Sequence, residues 1–514
     1  MAQNFTDKLS QELEKVYNFK VTENGALGYA TTGKKLLDVS FKLSSYRNAS
    51  EKQIIKDFFQ AMSEDPLLAT KFLFFARDIR GGAGERRYFR VILQEIGRLD
   101  TPFAKALIPL VGNYGRFDDL LCLYRINDDL DAALDDYIAE ILASDYQNAL
   151  AGKSLTLLAK WLPSFSTNDK HKRWVAVRLI KNLFDNDWEM YVKFLSFLRG
   201  KLDIVERKMT NGQWGEIDYS KVPSVANMKY NKAFFKHDKE RRLQFIEALS
   251  AGKTKINAGT LFPHDIVHRM TDSNRRIMGS EAEVATLEAL WAALPRKRDI
   301  GNTLVIQDGS GSMVTPLDTK SYSGPMAIDV SVALAIYFAE MASGEFNNKF
   351  VTFSNKPKIV NMQHCTSLRY KVLTAMANND CSNTNIEAVF RMILVTAVQN
   401  RMAQKDLPEN ILVISDMEFD AGRFGAGKRL FDEVGELYRV NGYTLPRLVF
   451  WNVSSRTGTI PVISNELGVV LVSGFSPSVV QMILNGKTDP YEALKELLNS
   501  ERYQPVEEIM RNTL

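Results

Sequence analysis

The sequence predicts two architectures in one chain, an all-α helical array followed by an α/β doubly wound sheet. Three observations predict this. Apolar residues recur at helical spacing from about residue 36 to 290, and β-branched alternating runs are nearly absent there. The period changes after Leu294-Pro295-Arg296-Lys297-Arg298-Asp299-Ile300-Gly301, which reads as a linker. Beyond it, short apolar strands alternate with helices.

Taken in order, residues 5–17 read as a short amphipathic helix. Residues 19–35, with Gly25, Gly28 and Gly33, read as loop or hairpin. In 52–62 the residues Ile54, Ile55, Phe58, Phe59 and Met62 fall on one helical face, and 67–79 repeats the pattern. That helix breaks at Arg80-Gly81-Gly82-Ala83-Gly84, and 85–96 begins the next. Further helices are predicted near 102–112, 116–125, 129–144, 153–162, 170–184, 187–202, 230–250, 262–270 and 281–293. Helix after helix without strands is the pattern of an α-solenoid or a related array, with no clean repeat period. After the linker, strands are predicted at 303–308, 349–353, 358–362, 410–415, 447–453 and 468–472. Helices are predicted at 325–342, 385–399 and 428–440, and again over about 476–512. The expected division is 1–35, an N-terminal helix and loop; 36–293, the helical domain; 294–301, the linker; 302–475, the α/β domain; and 476–514, C-terminal helices that cap the α/β domain or pack back on the helical one.

A chain of 514 residues has room for two or three domains. With 45% apolar and 25% charged residues it has the balance of a folded globular protein rather than a disordered one. Cys122, Cys365 and Cys381 are odd in number and far apart, so neither a disulfide framework nor a zinc cluster is expected. A reducing, cytoplasmic (intracellular) setting follows. Residues 1–20 lack the apolar core of a signal peptide, and no apolar run approaches the ~20 residues that span a bilayer, so no membrane association is expected. Residues 1–300 carry 46 Lys+Arg against 39 Asp+Glu, and residues 301–514 carry 19 against 22. The basic excess lies in the helical part, which points to a polyanionic partner.

The candidate metal ligands sit at predicted strand and helix ends. Asp308-Gly309-Ser310-Gly311-Ser312 follows the first strand, Asp416 follows Ile411-Leu412-Val413-Ile414-Ser415, and Thr384 precedes a helix. Ligands of open α/β sheets bind beyond the carboxyl ends of the strands. Two carboxylates and three hydroxyls form an oxygen-only set suited to Mg²⁺ or another hard divalent cation such as Mn²⁺. The bland reading of the same residues is loop and helix capping. The loop is not a P-loop, since GxxxxGK[ST] is absent. It is not a nucleophile elbow either, because His364, the one histidine of this part, precedes any candidate acid.

Asp308-x-Ser310-x-Ser312 with Thr384 and Asp416 resembles the metal-ion-dependent adhesion site of von Willebrand factor A domains. The resemblance implies that Ser310 and Ser312 bind the ion directly, that Asp308 and Asp416 hold it mainly through water, and that Thr384 responds to ligand state. Several strings of the helical part carry a second resemblance: Thr22-Glu23-Asn24-Gly25-Ala26-Leu27-Gly28-Tyr29, the segment from Arg77 to Arg86, Tyr114-Gly115-Arg116-Phe117-Asp118-Asp119-Leu120, Leu158-Ala159-Lys160-Trp161-Leu162-Pro163, Val222-Pro223-Ser224-Val225-Ala226 and Leu261-Phe262-Pro263-His264. Over nearly the whole chain these are similar to an uncharacterised family of plants, microbes and phages. Its domain order is that of the Ro 60-kDa autoantigen (the TROVE module). That architecture implies a ring of HEAT-like repeats joined to the A domain, binding small or single-stranded RNA.

The residues compatible with RNA fall in three groups. Arg77, Arg80, Arg86, Arg87 and Arg90 surround the glycine-rich turn, whose amides would add to a phosphate site. Lys170, Lys172 and Arg173 lie beside Trp174. Lys229, Lys232, Lys236, Lys239, Arg241 and Arg242 lie among Tyr230, Phe234 and Phe235, a mixture that suits phosphate contacts and base stacking. The competing structural reading pairs Arg77 with Asp78 and Arg86 with Asp118 or Asp119, makes the glycines a helix stop, and has His264 order a turn. The expected function is a monomeric, non-catalytic RNA-binding protein with a metal-dependent A domain. The alternative is an assembly factor whose metal captures an acidic residue of a partner. A metal-dependent nuclease ranks last, for want of a carboxylate-bridged metal pair.

Overall fold

The computed structural model describes residues 18–23, 25, 27–271, 277–296, 299–318, 324–353, 356–379, 386–418, 430–456, 458, 460, 469–474 and 489–513. The helix read at 5–17, Thr384 and Cys381 lie outside them. The chain forms two compact units that interleave along the sequence. The first comprises residues 1–50, 60–65 and 258–497, and the second 51–59, 66–257 and 498–514.

The first unit is built on a six-stranded mixed sheet. Its strands are β3 (Thr303–Asp308), β4 (Lys349–Phe353), β5 (Ile359–Asn361), β6 (Asn410–Ser415), β7 (Arg447–Asn452) and β8 (Val469–Ser473), after an N-terminal hairpin of β1 (Phe19–Val21) and β2 (Leu27–Tyr29). The sheet order is β5-β4-β3-β6-β7-β8, with every pairing parallel except the β5 edge. β3 is wholly buried, as parallel strands covered by helices are. The chain runs outward from β3 to β4 and β5, then returns to place β6 on its other side. This reversal leaves a crevice at the carboxyl ends of β3 and β6. Helix Ala327–Met341 packs on β3 and β4 and is buried at nearly every position. Helix Pro263–Met270 packs on it in turn, and Glu281–Ala292 on that.

The N-terminal segment belongs to this unit. Tyr29 bridges to Ile460, Asn452 donates to the Phe41 carbonyl at 2.8 Å, and the Ser44 N–H donates to Ser473 at 3.1 Å. Asp38, buried at the turn into helix Lys35–Phe41, accepts from the Thr32 amide and hydroxyl, both at 2.7 Å.

The second unit is helical throughout its described residues. Pro66–Arg77, Arg86–Leu99, Thr101–Tyr114 and Asp128–Leu150 pack each on the next, and Lys170–Leu183 and Trp188–Lys201 pack on Asp128–Leu150. The stretch read as a helix at 116–125 is a 3-10 turn, Phe117–Leu123, and 230–250 divides into Asn231–His237 and Lys239–Ser250. The C-terminal residues divide between the two options the sequence leaves open. Pro490–Leu498 falls almost wholly in the first unit, while Gln504–Thr513 packs on Pro66–Arg77 and Thr101–Tyr114 in the second. There Lys71, 1% exposed, meets Glu507 at 2.6 Å, Arg502 pairs with Asp78, and Tyr503 stacks on Tyr114.

Gly82 shows why the glycine turn is glycine. A Cβ there would stand 1.9 Å from the Phe75 carbonyl oxygen, a helix backbone atom that cannot step aside. Gly82→Ala should therefore fall at or beyond the upper end of the about 1–3 kcal/mol that overpacking costs. Denaturant midpoints of the two proteins check this, and a loss below about 0.5 kcal/mol, the ordinary surface level, would refute the close approach.

Candidate metal centre and nucleic-acid surface

Both aspartates of the candidate centre lie in the crevice beyond β3 and β6, where the sequence puts them. Asp308 ends β3 fully buried. One of its carboxylate oxygens accepts the Ser310 N–H at 2.9 Å and the other the Ser415 hydroxyl at 2.6 Å. The Ser310 and Ser312 hydroxyls are 2.9 Å apart. Asp416, 2% exposed, accepts the Ser312 hydroxyl and the Glu418 N–H. Four of the five sequence-predicted ligands are thus brought together, and Thr384 lies outside the described residues. Burial, and after it the charge of Asp308, pushes the Asp416 carboxyl well above its ordinary range; the Ser312 hydrogen bond opposes this. Two carboxylates are held in a site that disfavours their joint charge. Among the described residues, no group of three or more His, Cys, Asp or Glu side chains forms a metal cluster. Any cation here would depend on hydroxyls as well as acids.

The surroundings add residues that sequence reading missed. Ser415, the last residue of β6, fixes Asp308, and its own oxygen accepts the Met417 N–H at 3.0 Å. Arg456 lies 3.6 Å from Asp416 and 2.5 Å from Glu23. Glu418 accepts from the Glu23 and Arg456 amides and from the Ser455 hydroxyl. Asn379 sits against Gly309, where an added Cβ would be 2.9 Å from its Oδ1, and neither end of its amide has a partner among the described residues. Only Ser415 leaves a sequence signal, as the hydroxyl next to Asp416. The rest come from loops distant in sequence.

The basic candidates all lie in the helical unit, and the structure sorts them. Arg77 is 3% exposed and bound to Asp119 at 2.7 Å, so its charge is spent inside the fold. It does not pair with Asp78, which instead takes Arg502 and the Arg80 N–H. The glycine-turn amides are also committed, Gly82 and Gly84 to the Asp78 carbonyl and Ala83 to that of Phe75. They are not available to a phosphate, and the turn acts as a helix stop. Arg80 is exposed and Arg87 half-buried, each with its own partners. Arg242 is fully buried among Tyr219, Phe234 and Phe245, and donates to Asn227 and Asn231 at 3.1 Å. Arg241 donates to the Trp214 and Ile217 carbonyls and to Asp238. Both are structural, because the aromatics around them form a core cluster rather than a surface platform. Lys170, Lys172, Arg173, Lys229, Lys232 and Lys236 are exposed. His264 is buried and, through burial, held neutral with its pKa pushed down to about 4, which fits a packing role.

Two sequence families match this chain. Residues 302–512 match a Domain of unknown function (DUF7788), and residues 130–297 match a Domain of unknown function (DUF2828). The chain is also 27% identical to the Uncharacterized protein L728 of Acanthamoeba polyphaga mimivirus, over 95% of this chain and 89% of that protein. The likeness to uncharacterised families thus covers residues 130–297 and 302–512, and that to the viral protein 95% of the chain. The two matched regions meet between 297 and 302, inside the linker segment, whereas helices Pro263–Met270 and Glu281–Ala292 pack with the sheet unit. No helix among the described residues is long and apolar enough to cross a membrane.

Proposed function

We propose that the protein is a non-catalytic RNA-binding protein of Ro-like organisation, its HEAT-like helical unit carrying single-stranded or small RNA and its sheet unit acting as a von Willebrand factor A-like domain. The observation that carries the reading is the distribution of charge. Residues 151–257 hold 21 Lys+Arg against 11 Asp+Glu, while the rest of the helical unit is slightly acidic. The lysines of this stretch named above face solvent, and Phe165 and Trp188 stack on each other at the surface, 44% and 53% exposed. Surface cations with exposed aromatic faces suit a single strand.

Fluorescence polarisation with a short single-stranded RNA tests this. About six phosphate contacts on a single strand give a log–log salt slope near −4, a roughly 300-fold loss of affinity between about 50 and 200 mM salt. The triple substitution of Lys229, Lys232 and Lys236 by Gln should flatten that slope by about two units. No binding at the lower salt, or a slope near zero, would dispose of the reading.

For the A domain, we infer a Mg²⁺ or Mn²⁺ site on Ser310, Ser312, Asp308 and Asp416, with Thr384 as the fifth member. Support comes from the two serine hydroxyls, hydrogen-bonded to each other at 2.9 Å, a spacing that neighbouring ligands of one ion also have. Adjacent corners of an octahedron with metal–oxygen bonds of about 2.1 Å are about 3.0 Å apart. When bound, the ion would supply a docking point for a carboxylate or a lock on the loop. The chain's own residues hold the loop in shape through Ser415 and Asp308. An assembly role, with an acidic partner residue at this site, is the second reading that the same geometry favours.

A further inference from the structure

The helical unit gathers four arginines around two aspartates, and one arginine is left over. Asp119, fully buried, accepts from Arg77 at 2.7 Å, Arg90 at 2.6 Å and the Arg116 N–H at 3.0 Å. Asp118 binds the Arg116 guanidinium through two hydrogen bonds, 2.8 and 2.7 Å, and meets Arg90 at 3.1 Å. Both carboxylates are therefore occupied by Arg77, Arg90 and Arg116. Arg86 begins helix Arg86–Leu99, one turn before Arg90. Its side chain is exposed and, among the described residues, has neither a hydrogen bond nor an ion pair. Four positions before Arg90 on the same helix, it shares that face with the cluster. Partial desolvation, then Arg116 and Arg77, depress its guanidinium to about 10, and Asp119 offsets only part of this. Arg116 is held in place from the other side by the ring of Trp161, 4.1 Å from its centroid.

We propose that Arg86 and Arg116 form an oxyanion site that takes a phosphomonoester. Four guanidinium groups against two carboxylates leave two positive charges uncompensated at one point. A terminal phosphate carries close to two negative charges and three acceptor oxygens, which match the fork of Arg86 and the Nη1 edge that Asp118 leaves open on Arg116. A phosphodiester or a carboxylate, with one charge, would neutralise only half of the excess. The start of a fourteen-residue helix adds a favourable field. The bearer of the phosphate is the 5′ end of an RNA or a free phosphorylated molecule. Only the first of these rests on the RNA reading.

The test begins with inorganic phosphate as the probe, titrated to about 10 mM at constant ionic strength and read as the melting temperature of the full chain. The wild type is expected to rise saturably by a few degrees, and Arg86→Gln to lose that response. Arg86→Glu places an internal counter-ion among the other three arginines. It should melt higher than wild type without phosphate and ignore added phosphate. A wild type blind to phosphate, an Arg86→Gln protein that responds as wild type does, or an Arg86→Glu protein that melts lower would each overturn the site. The second arm compares one RNA with a 5′-phosphate or a 5′-hydroxyl. A preference of about tenfold for the phosphate that Arg86→Gln removes assigns the bearer to RNA. Equal affinity with the phosphate response intact assigns a free phosphorylated molecule. Absence of any RNA binding refutes the RNA reading and leaves the phosphate result to stand by itself.

Discussion

Asp119→Ala should be the most damaging single substitution in the helical unit, costing about 3–5 kcal/mol, because it strands a buried guanidinium. Arg77 is 3% exposed, and Asp119 is the carboxylate that faces it, at 2.7 Å. Removing Asp119 also leaves Arg86, Arg90 and Arg116 with Asp118 alone. The loss is therefore that of an unpaired buried charge plus mutual repulsion, not that of one hydrogen bond. Equilibrium denaturation with a probe in the helical unit measures it, and a loss under about 1 kcal/mol, the size of one net hydrogen bond, would contradict the assignment. A paired replacement sharpens the comparison. Arg77→Met with Asp119→Leu removes both charges, and apolar pairs of similar volume often match a buried ion pair in stability. The double variant should lose clearly less than Asp119→Ala.

The same carboxylate sets an acid limit. Burial alone would raise its pKa, but Arg77 and Arg90, helped by the Arg116 amide and the Arg90 hydrogen bond, hold it below the ordinary carboxylate value. A folded-state pKa below the unfolded one contributes stability that is fully present above about pH 3.9, the ordinary value for Asp. The contribution is lost as pH falls through the depressed folded value. Acid unfolding of the Asp119→Ala protein should lack this component.

What the sequence displays and what it hides follow from the range of the interactions. The strands of the sheet and the loop Asp308–Ser312 are legible because a buried parallel strand is a run of β-branched residues, and the polar residue that ends it marks the carboxyl edge. The glycines of 19–35 mark a loop or hairpin, and the structure pairs Phe19–Val21 with Leu27–Tyr29. Pairing is another matter. Arg77 next to Asp78 invites a local ion pair, yet Asp78 is claimed by Arg502, 424 positions away, and Arg77 by Asp119. Glu23 supports Glu418 across 395 positions, and no local period encodes that. Arg241 and Arg242 beside aromatics look like a binding platform in sequence, but the helix that carries them turns both toward their own carbonyls, amides and rings. Mixed basic and aromatic composition cannot distinguish a platform from a core whose arginine is satisfied by neutral partners.

Divalent cation should stabilise the sheet unit, and Asp416→Asn should abolish that effect while leaving the metal-free protein at least as stable as wild type. Asp308 and Asp416 are both buried beside one another at the ends of β3 and β6. A cation on the serine hydroxyls would neutralise the pair. Linkage gives about 2.7 kcal/mol of added stability when Mg²⁺ stands at about 100 times its Kd. Without metal, Asp416→Asn removes one of two like charges held together by the fold, gives up only the 3.6 Å contact to Arg456, and keeps a group that accepts from the Glu418 amide. Ser310→Ala separates the two effects, since it deletes one of the proposed hydroxyl ligands but leaves both carboxylates in place. That variant should lose the Mg²⁺ response and gain nothing in EDTA. Melting curves of the three proteins with Mg²⁺ and with EDTA decide the matter. If all three respond alike, the carboxylates and hydroxyls at the β3–β6 crevice are loop and helix caps, and the metal reading of the site is wrong.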